Sequence, residues 1–292
     1  MIKVSSKKIQ AYWQFTKPGV TFGNLLTVAA GYLLVSAGSI DLLVFFGVML
    51  GMYLVIAGAC ALNNYLDRDI DVKMSRTKKR PSVISALTPG EMLTFAIIIA
   101  LAGFIVLVFT TNTLTLYLAL MGYFCYVWLY GAWSKRSSVH GTAVGAVSGA
   151  FPIISGYAAG GVGIDFAMII CFLILYFWQF PEFYSIAIYR RSEYRAANIP
   201  LISIVRGVKP TIKQIFVYTV LYVASTLALG VTGLVGVTYM ATMTIAGIWW
   251  LMVAFEGLST QNTTAWSKRM FRGAMYHILL LCIMLAVGPL LP

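Results

Sequence analysis

The chain has 292 residues, 60% of them hydrophobic and only 10% charged, with a formal net charge of +12. Soluble domains carry roughly 25% charged residues, so this composition excludes an ordinary soluble fold and indicates a polytopic membrane protein. Loops facing anionic lipid account for the basic excess, and nucleic-acid binding is not needed to explain it.

About 20 apolar residues cross a bilayer. On that measure nine helices are expected, near 19–38, 42–62, 92–110, 114–133, 140–160, 165–187, 211–230, 233–253 and 272–291. The expected fold is all-α, one membrane domain over 1–292, with no Pro- or Ser-rich linker to divide it. The first run follows Lys17-Pro18 and is too long for a signal-peptide core, so it reads as a retained helix. Cys60, Cys125, Cys171 and Cys282 lie in separate apolar runs with no CxxC pair. They read as small packing residues, not as a disulfide framework or a zinc site.

The gaps between runs alternate. Those near 39–41, 111–113, 161–164 and 231–232 contain no Lys or Arg. The N-terminal tail (Lys3, Lys7, Lys8, Lys17) and the alternate loops hold all 21. Those loops contribute Arg68, Lys73, Arg76, Lys78, Lys79 and Arg80; Lys135 and Arg136; Arg190, Arg191, Arg195, Arg206, Lys209 and Lys213; and Lys268, Arg269 and Arg272. Under the positive-inside rule the N-terminus and these loops are cytoplasmic, as expected of a multi-pass protein of the cell (inner) membrane.

The loop after the second run reads "NNYLDRDIDVKMSRTKKRP" from Asn63 to Pro81. Asn63, Asp67 and Asp71 recur every four residues and form one stripe if the helix continues, about 40° round and ~6 Å along per step. Asp69 falls on the other side, toward solvent or Arg68. With no His or Cys nearby, soft or borderline metals are disfavoured. Mg²⁺ takes oxygen ligands and typically binds through one or two carboxylates plus substrate phosphates. Arg76, Lys78, Lys79 and Arg80, with Lys135 and Arg136, would suit those phosphates. The inventory fits a Mg²⁺–diphosphate site at a membrane surface and, equally, a surface ion-pair cluster.

A second polar segment runs "FWQFPEFYSIAIYRRSEYRAANIP" from Phe177 to Pro200. Glu182 and Glu193 are eleven residues apart, close to three helical turns, so one continuous helix would aim both the same way. Glu182 falls at membrane depth, where an ionisable group is a functional candidate or the partner of an Arg. Arg190, Arg191 and Arg195 could serve phosphate, propionate or lipid headgroups.

The N-x-x-x-D-x-x-x-D pattern followed by R-T-K-x-R resembles the first signature of the UbiA-type intramembrane prenyltransferases. "TKPGVTFGNLLTVAAGY", "SKRSSVHGTAVGAVSGAFPIISGY" and "WQFPEFYSIAIYRRSEYRAANIPLISIVRG" resemble its haem-modifying branch, the protohaem IX farnesyltransferases or haem O synthases. That resemblance implies nine helices around a central cavity, and Mg²⁺-dependent transfer of farnesyl from farnesyl diphosphate to a vinyl group of haem B, giving haem O. It implies Asn63, Asp67 and Asp71 as the metal and diphosphate motif. Arg76, Lys79, Arg80, Lys135, Arg136, Arg190 and Arg191 are then expected as diphosphate ligands, and Glu193 and Glu182 as catalytic carboxylates. His140 and Tyr194 are expected beside the haem, and His277 as structural. Tyr126, Tyr130, Trp178 and Tyr184 would line the pocket or fill the helix core. A downstream haem-modifying enzyme or haem-copper oxidase is the implied partner.

The branch commonly has Pro-His-Phe at Pro181-Glu182-Phe183, Lys-Pro-Arg at Lys17-Pro18-Gly19, and Asp at Glu193. The missing His and Arg leave the haem contacts open. The rival enzyme is a UbiA-type transferase acting on an aromatic acid or quinone precursor, whose second region normally carries two acids where this chain has only Glu193. A transporter is the rival outside enzymes, but its ionisable groups gather near the midplane, whereas these lie at one face.

Overall fold

The computed structural model describes residues 6–292, so Lys3 lies outside the described residues. A short helix α1 (Ser6–Phe15) precedes α2 (Pro18–Ser36) and α3 (Leu42–Leu66), which is followed by the single turn α4 (Arg68–Asp71). Helix α5 (Pro89–Thr110) leads to α6 (Thr113–Phe124), which runs on as a π-helix over Cys125–Ser134 and ends in the turn α7 (Lys135–Ser137). Then come α8 (Gly141–Ala159), α9 (Phe166–Tyr189), the short α10 (Arg191–Ala196) and α11 (Ile202–Val205), and α12 (Val208–Ala228). Helices α13 (Val237–Glu256) and α14 (Thr263–Val287) complete the chain.

Among the described residues, nine helical spans are long and apolar enough to cross a membrane. Three of the four cation-poor turns start the next span with a polar cap, the exception being α13, which follows Gly236. The side chains of Asp41, Asn112 and Asp165 accept the N–H groups of Val44, Thr115 and Met168 at 3.1, 2.9 and 2.8 Å. These caps satisfy donors that hydrocarbon cannot. Opposite them, Thr88 and Glu91 form a reciprocal capping box at the start of α5.

Sequential spans pack side by side, and α14 returns against α2, so the nine close into a ring. Contacts of α2 with α8 and of α9 with α14 brace it inside. The α2–α8 crossing depends on two glycines. A Cβ on Gly31 would lie 2.0 Å from the carbonyl oxygen of Ile153, and one on Gly156 would lie 2.0 Å from that of Val28. Small residues at such crossings let membrane helices gain dispersion contacts that lipid cannot replace. The outer surface is apolar: Phe109, Val231 and Val237 are each more than three-quarters exposed, which suits lipid.

The boundaries depart from expectation at the cation-rich end. Helix α3 runs to Leu66, so Asn63 lies inside it. The ninth helix begins at Thr263, nine residues earlier than its apolar run, so Lys268, Arg269 and Arg272 belong to its first turns and not to a loop. Hydropathy marks where lipid begins, while the Asn262 side chain, accepting from Ala265 N–H at 3.0 Å, marks where the helix begins.

Candidate active site at the cation-rich end

Asp67 leaves helical geometry (φ −85°, ψ 3°), yet its N–H still donates to Asn63 O at 2.9 Å, and Asp71 N–H donates to Asp67 O at 2.8 Å. The four-residue stripe therefore survives the break between α3 and α4. Asn63, Asp67 and Asp71 are each 1% exposed. Burying carboxylates costs several kcal/mol apiece unless cations meet them. Lys135 Nζ pairs with Asp67 Oδ2, and Arg80 Nη1 donates to Asp71 Oδ2 at 2.6 Å. Arg136 forks onto both oxygens of Asp69 at 2.8 Å and reaches Leu66 O at 2.5 Å. That guanidinium holds the Asp69 carboxyl below its usual range. Asp69 does face solvent, but its partner is Arg136; Arg68 instead covers the Tyr65 ring at 3.9 Å.

The π-helix explains how Lys135 reaches Asp67. In an α-helix a residue five positions on lies about 140° away, whereas i→i+5 bonding brings it nearly overhead. Lys135 Nζ sits 5.9 Å from the centroid of Tyr130, and Tyr130 stacks on Tyr126 at 5.9 Å and 29°. Gly131 lies in this segment because a Cβ there would come 2.8 Å from Asn63 Nδ2.

Lys17, read from sequence only as a topological charge, also enters the site. It precedes α2 in the left-handed region (φ 52°, ψ 64°), which costs a non-glycine residue on the order of 1–3 kcal/mol. Its carbonyl accepts Val20 and Thr21 N–H at 2.9 and 3.1 Å, and its Nζ donates to Asn63 Oδ1 at 2.7 Å. Burial pushes the Lys17 ammonium down to about 8.

The second polar segment corrects an expectation. Helix α9 passes through Pro181 without a break but ends at Tyr189, and Arg190 (φ −110°, ψ 23°) separates it from α10. The helical repeat that would align Glu182 with Glu193 is lost. Glu193 Oε1 accepts from Arg190 Nη1 at 2.7 Å, and Oε2 accepts from Arg76 N–H at 3.3 Å. Burial alone would raise its carboxyl, but hydrogen bonds from Ser75, Arg190 and Arg76 hold it below the ordinary value. Ile70, Met74, Ala197 and Ile199, flanked by Tyr194 and Leu201, pack the two loops together beside it. Glu182 is half-buried in α9, with no hydrogen bond or ion pair among the described residues.

The remaining sites divide. Tyr194 lies near the charges of Arg76 and Lys135, and burial pushes its phenol up. Arg191 has a buried Nε without a partner. The side chains of Arg76 and Lys79 are exposed, as is His140, which immediately precedes α8. Trp178 and Tyr184 belong to the hydrophobic core, with Trp178 Nε1 donating to Ala274 O at 2.9 Å. His277 is buried in α14, its Nε2 3.1 Å from Ala246 O and its ring 4.6 Å from that of Trp250.

These groups can hold a hard cation and a polyanion. Asp67 Oδ1 accepts no hydrogen bond; Arg136 Nη2 stands 3.8 Å from it. Among the described residues no three His, Cys, Asp or Glu side chains converge. A metal here would therefore draw its remaining ligands from water or a phosphate, as Mg²⁺ does. Asn63 offers its oxygen to Lys17, so a metal would compete with that bond.

Residues 24–283 match the UbiA prenyltransferase family, and the chain belongs to that family. The protoheme IX farnesyltransferase of Cronobacter sakazakii is 39% identical over 284 residues, covering 97% of this chain and 96% of that one. The protoheme IX farnesyltransferase of Serratia proteamaculans is 40% identical over 279 residues, covering 96% and 94%. In three dimensions the chain is similar to a digeranylgeranylglyceryl phosphate synthase (TM-score 0.81, 17% identity, 97% of this chain and 98% of the other). It is also similar to a UbiA homologue from Archaeoglobus fulgidus bound to GPP and Mg²⁺ (TM-score 0.71, 12% identity, 94% and 99%). At such identities the structural likeness establishes the fold.

Proposed function

We propose that this chain transfers the farnesyl group of farnesyl diphosphate to a vinyl group of haem B, making haem O. The observation that carries this reading is the buried Asn63–Asp67–Asp71 stripe with Lys135 and Arg80 paired to its acids and Arg136 3.8 Å from Asp67. Lys135 and Arg80 keep 15% and 22% side-chain exposure, so a polyanion arriving with a metal can exchange partners with them. Near-full-length relatives named protoheme IX farnesyltransferase support the acceptor.

Asp67 and Asp71 would hold Mg²⁺, which supplies charge neutralisation of the diphosphate as a leaving group. Lys135, Arg80 and Arg136 bind and orient the diphosphate oxygens. The farnesyl C1–O bond breaks, and its electron pair leaves with the diphosphate. The Tyr126–Tyr130 stack faces the allylic cation and favours it by cation–π attraction. The vinyl π electrons form the new bond to C1, water adds to the resulting cation, and a proton is lost. Glu182, unpartnered, takes that proton; Glu193, with both oxygens engaged, holds the loops and does not titrate in the reaction.

The cation-rich loops face the cytoplasm and the membrane is the cell's inner one, as the positive-inside rule supports. Impermeant thiol labelling of a cysteine introduced at exposed Lys79 would be blocked in intact cells; labelling there would reverse the orientation. The activity is tested with purified protein, haem B, farnesyl diphosphate and Mg²⁺. Haem O is expected from wild type and lost in Asp67→Asn and Asp71→Asn. Prenylation of an aromatic acid in place of haem B would move the chain to the sister branch.

A further inference from the structure

The cations that reach into the site from α7 and the loop after α4 meet carboxylates: Lys135 meets Asp67, Arg80 meets Asp71 and Arg136 meets Asp69. Lys17 differs. Among the described residues it has no carboxylate within ion-pair distance, and its Nζ makes one hydrogen bond, to the amide oxygen of Asn63. Asn63 is 1% exposed, and its Nδ2 has no partner. A half-buried ammonium and a buried amide donor therefore stand side by side with donors in excess of acceptors, which is the arrangement an anion completes. The backbone holds Lys17, a non-glycine residue, in a left-handed conformation, and such a conformation persists where the surrounding structure imposes it.

Depth gives the site its meaning. Helix α3 runs toward the cation-rich end, so Asn63 lies one turn, ~6 Å, nearer the membrane interior than Asp67. A prenyl diphosphate whose phosphates lie along Asp67 and Asp71 points its chain inward, past Asn63. We infer that Lys17, with the Asn63 amide, binds the inner phosphate at its ester oxygen, where negative charge grows as the allylic C–O bond breaks. This rests on the farnesyl diphosphate reading above and adds a contact from the junction of α1 and α2 that the aspartate motif does not contain.

The test uses the full chain in nanodiscs, titrated with inorganic pyrophosphate in Mg²⁺ by calorimetry, together with single-turnover farnesyl transfer. Lys17→Met removes the charge at similar volume, Lys17→Arg keeps it, and Lys17→Gly removes the side chain while suiting the left-handed backbone. Lys17→Met and Lys17→Gly are each expected to weaken pyrophosphate by about 10- to 100-fold, the worth of a charged hydrogen bond, and to slow transfer; Lys17→Arg recovers most of both. Wild-type-like pyrophosphate affinity in Lys17→Met overturns the inference alone. So does Lys17→Arg binding no better than Lys17→Met, because the side chain would then be a strut to Asn63. Wild type that ignores pyrophosphate overturns the diphosphate reading itself.

Discussion

Lys135 and Asp67 are 68 residues apart in the chain, and they meet as an ion pair that ties the π-helical end of the fourth span to the end of the second. The pair has two roles that can be separated. Asp67→Asn leaves the Lys135 ammonium facing a neutral amide; breaking a buried pair costs about 3–5 kcal/mol, and 15% exposure of Lys135 puts the cost toward the lower figure. Haem O formation is expected to fall by about 100-fold or more, as for loss of a major electrostatic contact to the transition state. In Asp67→Asn with Lys135→Met the denaturation midpoint recovers while activity does not. Recovery of both would reduce the pair to a structural role.

Glu193 should govern acid stability more than chemistry. Its carboxyl is held below the ordinary 4.5 by hydrogen bonds from Ser75, Arg190 and Arg76 that outweigh burial. A depressed folded-state value contributes stability that is complete above the unfolded value and is lost as pH falls through the folded one. Wild type should therefore lose thermal stability as pH drops below about 4.5, whereas Glu193→Gln starts lower at neutral pH and shows a flatter acid limb. Haem O formation by Glu193→Gln at pH 7 should keep the wild-type pH profile, and a shifted profile would return Glu193 to the reaction.

Much of this was legible in the residues. Nine apolar runs with cations at alternate gaps leave few ways to cross a bilayer, and the Asn63–Asp67–Asp71 spacing needs only helical hydrogen bonding to align it. Three features were not legible, each for a local backbone reason. Lys17 looks like any juxtamembrane lysine, because its inward aim depends on a left-handed residue in front of Pro18. The π-helix leaves no periodic mark, since Cys125–Ser134 is apolar on nearly every side and its sequence does not distinguish i+4 from i+5 bonding. Nothing at Arg190 resembles a breaker, neither Gly nor Pro, so the sequence offers one helix for Glu182 and Glu193; the break goes with Glu193 bonding back to Arg190 and across to Arg76.

The glycine crossing of α2 and α8 predicts a stability defect with intact chemistry. Gly156→Ala would drive a methyl group to 2.0 Å from Val28 O, and the neighbour is backbone that cannot rotate away. Overpacking of this kind costs about 1–3 kcal/mol. The variant should unfold at lower denaturant while the protein that remains folded retains its pyrophosphate affinity. An unchanged midpoint would mean that the helices separate freely at this crossing.

The π-helix yields the sharpest test of how the fold builds the site. Ala132 lies in Cys125–Ser134 and is exposed to lipid, so deleting it removes little packing. One residue fewer lets i→i+4 bonding replace i→i+5, and a residue four positions on in an α-helix lies only about 40° round, so Lys135 and Arg136 keep their aim at Asp67 and Asp69. The deletion should preserve helix content by circular dichroism and retain haem O formation and pyrophosphate binding. Inserting an alanine after Gly131 in the full-length chain should instead turn Lys135 and Arg136 by about 100° relative to Tyr126 and abolish haem O formation. Loss of activity in the deletion would show that the π-helical backbone itself, and not only the register it sets, aims the lysine.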